Sequence, residues 1–96
     1  MQRDEVLQLL REHQADLDRF GVKSIALFGS VVRDEAGPAS DVDVLVEFDG
    51  TATFDRYMGL KLYLEDLLGV SVDLVTPRSL KPRVRPYVER EAIRVA

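Results

Sequence analysis

Cysteine is absent from the chain, which removes disulfides, thiolate zinc sites and thiol nucleophiles together. Histidine occurs once, as His13 in a polar stretch. A His-based catalytic triad is therefore unavailable, and His13 reads as a surface side chain. No apolar run approaches the ~20 residues that a membrane-spanning helix needs. No charged-then-apolar leader opens the chain, so no membrane partner is expected and the cytoplasm is the expected location. Any chemistry must run on carboxylates, hydroxyls, arginines and lysines.

What is present fits one domain over residues 1–96, with 46% hydrophobic and 31% charged residues. The net charge of −4 is unevenly spread. Residues 1–75 carry 7 basic and 15 acidic side chains, whereas residues 76–96 carry 6 basic and 2 acidic ones. An acidic protein repels phosphate backbones, so direct binding of nucleic acid is not expected. The basic cluster Arg78, Lys81, Arg83 and Arg85 has three readings: contact with a triphosphate, contact with an acidic partner, or a solvated face.

The hydrophobic pattern predicts a small α/β domain. Residues 4–19 form an amphipathic helix through Val6, Leu7, Leu10 and Leu17, stopped at Gly21. Lys23 to Phe28 is a strand, and a short helix runs from Ser30 to Glu35 before Gly37-Pro38 breaks it. Asp41 to Phe48 alternates as a second strand. A helix from Phe54 to Leu68 follows and ends at Gly69. Val70 to Val75 is a third strand. Residues 78–82 turn, and a last short helix covers Pro86 to Ile93. The result is a mixed sheet of at least three strands with helices packed against it.

Two short motifs organise this frame: Phe28-Gly29-Ser30 at the end of the first strand and Ser40-Asp41-Val42-Asp43 at the start of the second. Gly29 lets the backbone leave the strand sharply and approach a ligand. Ser30 is a natural helix cap, where free N–H groups and the helix dipole favour a phosphate. Residues two apart on a strand share a face at roughly 7 Å. Asp41 and Asp43 therefore point together, while Val42, Val44 and Val46 enter the core. A phosphate cradle beside paired carboxylates points to a nucleotide and a metal ion. Arg33, one turn after Ser30, either contacts a phosphate or carboxylate of the site or is a surface arginine. Ser40 can brace the loop or the neighbouring Asp. Asp73, alone in an apolar strand, is costly to bury without a partner. Either a metal shared with Asp41 and Asp43 relieves it, or it lies at an exposed edge.

The run from Gly29-Ser30 to Asp41-Val42-Asp43 resembles the signature of the DNA polymerase β-like nucleotidyltransferase superfamily. The layout of nearly the whole chain is similar to the minimal nucleotidyltransferases, the antitoxin partners of HEPN-domain toxins. The resemblance implies a polymerase β-like core. It also implies that Asp73, on the strand after the long helix, is the third carboxylate of the site, with Gly29, Ser30, Arg33 and Ser40 on the nucleotide side.

Oxygen-only ligands favour magnesium, or manganese, over zinc and copper. Asp41 and Asp43 would hold the metal and Asp73 the ion nearest an attacking hydroxyl, whose proton it would accept. ATP is the expected substrate. So small a chain leaves little room for an acceptor pocket, so a protein partner should supply the acceptor. The resemblance implies that this partner is a HEPN RNase toxin, held in a hetero-oligomer and silenced by transfer of AMP to a tyrosine. The alternatives are a non-catalytic antitoxin that blocks the toxin by stoichiometric binding, and a small-molecule nucleotidyltransferase.

Overall fold

The computed structural model describes residues 2–33, 35, 37 and 41–95. Among these residues four helices and four strands follow one another: α1 (Arg3–Glu12), α2 (Gln14–Arg19), β1 (Val22–Phe28), β2 (Val42–Phe48), α3 (Phe54–Leu68), β3 (Val72–Val75), α4 (Arg85–Glu91) and β4 (Ile93–Arg94). Single 3-10 turns occupy Gly29–Val31 and Pro77–Ser79. The sheet order is β3-β2-β1-β4, with β1 antiparallel to β2 and β4, and β2 parallel to β3 through the α3 crossover. This is the expected mixed α/β sheet of at least three strands, four among the described residues.

One face of the sheet carries the core. The alternation of β2 buries Val42, Val44, Val46 and Phe48, and Ile25, Leu27, Val72 and Leu74 join them from the flanking strands. Val6, Leu10 and Leu17 from α1 and α2, and Leu60, Leu64 and Leu68 from α3, close over this face. Each such side chain contributes about 1.5–3 kcal/mol on leaving water. α3 has the predicted bounds because its signals are local. Thr53 Oγ1 accepts the Arg56 N–H at 3.2 Å, and Gly69 at φ 72° ends the helix, its N–H donating to the Glu65 carbonyl at 2.8 Å.

Several boundaries differ from the sequence reading. The single helix expected over 4–19 breaks at His13. The His13 ring Nδ1 lies 2.8 Å from the Leu9 carbonyl, the acceptor its own N–H would use in a continuing helix, and that N–H turns to Leu10 instead. Of the helix expected over Ser30–Glu35, the described residues show the 3-10 turn Gly29–Val31, with Val31 drawn into the core; Asp34 lies outside the described residues. β3 begins at Val72 rather than Val70. The last helix stops at Glu91, because the next residues pair with β1: Leu27 opposes Ile93, Ala26 opposes Arg94, and the Val95 N–H donates to the Ile25 carbonyl at 2.9 Å. Arg11 Nε clamps this end by donating to the Val95 carbonyl at 2.7 Å.

Candidate active site

The site grows from the sheet register. Phe28, the last residue of β1, lies opposite Asp43, and Asp43 in turn lies beside Asp73 on β3. Asp43 and Asp73 are neighbours on adjacent parallel strands and share the face turned away from the core. Asp41, just before β2, adds its charge from the same side. Burial pushes the Asp43 carboxyl above the ordinary aspartate range, and the negative charges of Asp73 and Asp41 push it further. The cost of desolvation thus falls on half-buried Asp43. Asp73 is exposed on the edge strand, the second of the two placements weighed for it, so its carboxylate meets solvent without a desolvation cost of its own.

Gly29 is held where only glycine fits. Its φ is +75°, and a Cβ there would overlap Asp43 Oδ2 far inside van der Waals contact. The missing side chain is what lets the Asp43 carboxylate lie against the turn. Ser30 follows, half-buried, at the start of a helical turn whose first N–H groups have no partner within the turn. Ser40 lies outside the described residues.

Arg33 is exposed and pairs with two glutamates, Glu35 at 3.3 Å and Glu91. The hydrogen bond to Glu91, then that to Glu35, hold its guanidinium above the ordinary arginine range. Its contacts are therefore with carboxylates other than the three aspartates. Glu91 also accepts the Gly29 N–H at 3.3 Å. The sequence reading missed Glu91, which is 62 positions from Gly29. Its one faint signal is that it is an acid within the basic C-terminal segment.

Among the described residues no three acidic or histidine side chains stand close enough to ligate one ion as they are. Asp43 and Asp73 share a face in register, and Asp41 and Asp73 both act electrostatically on Asp43. Three ionised carboxylates repel one another without a cation between them. Their donor atoms are all oxygen, as magnesium requires, and the raised Asp43 carboxyl is the strain that a divalent cation would relieve. The residues fit such an ion.

Other candidate groups are occupied. The Tyr57 hydroxyl donates to the Leu74 carbonyl, and the Tyr63 hydroxyl donates to Asp16 Oδ2 at 3.0 Å. A cleft of about 680 Å³ lies beyond the far end of the acidic face, lined by Glu47, Phe48, Thr51, Pro77, Arg78 and Arg85 among others. Arg85 is engaged with Glu89 at 2.9 Å. No helix among the described residues is long and apolar enough to cross a membrane.

Residues 6–95 match the family model described as a nucleotidyltransferase domain. The protein adenylyltransferase MntA of Thermococcus cleftensis is 44% identical over 93 residues, covering 96% of this chain and 94% of that one. A solved structure provisionally described as a minimal nucleotidyltransferase is 47% identical, with a TM-score of 0.82, covering 97% of this chain and 95% of that one. A chain from the complex of a tri-AMPylated Shewanella oneidensis HEPN toxin with its MNT antitoxin shares the fold at a TM-score of 0.67 and 24% identity. That match covers 94% of this chain and 71% of the other.

Proposed function

The chain belongs to the nucleotidyltransferase domain family, and we propose that it transfers AMP from ATP to a hydroxyl of a partner HEPN RNase toxin, so acting as its antitoxin. The observation that carries this reading is the pairing of Asp43 with Asp73 in register, with the Asp43 carboxylate set against the Gly29 backbone. Phosphate-binding turn and acidic face are thereby one site.

In the proposed reaction the acceptor oxygen, from a tyrosine of the toxin, forms a bond to the α-phosphorus of ATP. The bond from that phosphorus to the oxygen bridging to the β-phosphate breaks, and pyrophosphate leaves. Asp73, exposed at the sheet edge, is assigned to accept the proton of the attacking hydroxyl. Ser30 and the first N–H groups of its turn are assigned to the β- and γ-phosphates. Asp41, Asp43 and Asp73 are the residues that would hold magnesium, or manganese, which when bound supplies charge neutralisation at the phosphates and orientation of the hydroxyl. The name of the MntA relative, a protein adenylyltransferase at 44% identity, supports the reaction class. The fold shared with a chain of a HEPN–MNT complex supports the choice of partner and a hetero-oligomer with it.

The test is intact-mass spectrometry of a HEPN toxin encoded beside this chain, after incubation with the protein, magnesium and ATP. A gain of one or more adenylyl masses, lost in the Asp41→Asn/Asp43→Asn double variant, is expected. A tight complex with no mass gain would refute the transfer and leave stoichiometric inhibition.

A further inference from the structure

Glu91 closes the Gly29–Arg33 turn from outside the sheet. One carboxylate oxygen accepts the Gly29 N–H at 3.3 Å and the other accepts from the Arg33 guanidinium. The two oxygens therefore tie the first residue of the turn to the arginine four residues later. An exposed ion pair by itself contributes little, but this one differs in two respects. The side chain is 26% exposed, half the 49% of Arg33. It also takes a backbone donor at a positive-φ glycine.

The elements on either side set the placement of Glu91. It is the last residue of α4, one turn beyond Val88, which is 7% exposed. Two residues further on, Ile93 pairs with Leu27 in β1, next to the Phe28-Gly29 step. The end of the chain thus lies along the start of the turn, with Asp43 on one side of Gly29 and Glu91 on the other. With the Gly29 N–H taken by Glu91, and the Val32 and Arg33 N–H groups turned to the Gly29 carbonyl, the Ser30 N–H and hydroxyl are what the turn leaves for a ligand. Arg33, paired with Glu35 and Glu91, is kept from swinging onto Asp43, which its positive charge already influences.

We propose that Glu91 is a positioning residue for the nucleotide: it fixes the Gly29–Arg33 turn in the shape that presents Ser30 to the phosphates and reserves Asp43 for the metal. This rests on the nucleotide reading of the site given above. Glu91 touches no reacting atom. Its effect passes through Gly29 and Arg33.

The experiment compares wild type, Glu91→Gln and Glu91→Ala by calorimetric titration with ATP in magnesium, by the KM and kcat of transfer, and by exchange of the Gly29 amide followed by NMR. Charge-assisted hydrogen bonds are the strong ones, so Glu91→Ala should weaken ATP binding about tenfold. The isosteric Glu91→Gln, which keeps one acceptor, should lose less. The KM for ATP should rise while the KM for the protein acceptor holds, and the Gly29 amide should exchange faster in both variants. Unchanged ATP affinity with only a lower melting temperature would overturn the proposal. Tighter ATP binding would also overturn it, making Glu91 a competitor of the phosphate. A wild-type chain that binds no ATP would instead overturn the nucleotide reading on which the proposal rests.

Discussion

Replacing Asp43 by asparagine should make the apo protein more stable while removing its activity. Asp43 and Asp73 are register partners on adjacent strands, which puts their carboxylates about 5 Å apart. Two unit charges at that distance repel by about 3 kcal/mol at an effective dielectric of 20, and by about 1 kcal/mol in water. Asp73 is exposed, so the lower value applies, and Asp43→Asn should gain about 1 kcal/mol near neutral pH. For a domain of this size that is a rise in melting temperature of roughly 5 °C.

The pH dependence has a fixed sign. Burial and the neighbouring charges raise the folded carboxyl of Asp43 above its unfolded value, so the folded state binds the proton more tightly. Its contribution is fully favourable below the unfolded pKa and is lost as pH rises through the folded one. The gap between the variant and wild type should therefore be widest at pH 7–8 and should close as the pH falls to about 4. Magnesium should stabilise wild type by mass action and leave the variant unmoved. Thermal melts by circular dichroism, with and without magnesium across that pH range, check all three points. An Asp43→Asn variant less stable than wild type at pH 7.5 without magnesium, or a gap that ignores pH, would refute the electrostatic reasoning.

Gly29→Ala should cost both stability and function, since φ +75° strains any L residue and the new Cβ would drive Asp43 from its place. A melt lowered by at least several degrees, with transfer lost, is expected. Leu64→Ala, at a site with no exposure, should destabilise by about 2–5 kcal/mol in denaturant titration and leave the KM for ATP intact in the folded fraction. Tyr57→Phe removes a hydroxyl donor to the Leu74 carbonyl and should cost about 1 kcal/mol by the same measurement. Glu65 is held below its ordinary range by the Val72 N–H and then by Lys61. Its stabilisation is thus present above the unfolded pKa and is lost as pH falls through the folded one. Glu65→Gln should flatten the acid limb of the stability curve.

Local chemistry was enough to determine much of this protein. The alternation Asp41 to Phe48 fixed which residues of β2 enter the core and which face outward, because a strand has a period of two. The Thr53 and Gly69 signals bounded α3, because caps act on adjacent backbone groups. Gly29 before Ser30, between two apolar runs, marked the turn. Tertiary structure decided the rest. β4 is two residues long, too short for a pattern of its own, and exists only because β1 offers an edge. The same pairing ended α4 at Glu91 and brought that residue to Gly29. From the sequence Asp73 had two placements, at a metal shared with Asp41 and Asp43 or at an exposed edge. Its neighbour, Asp43, and its exposure followed from the strand order β3-β2-β1-β4. Charge interactions between residues thirty or sixty positions apart depend on that order, and no local period encodes it.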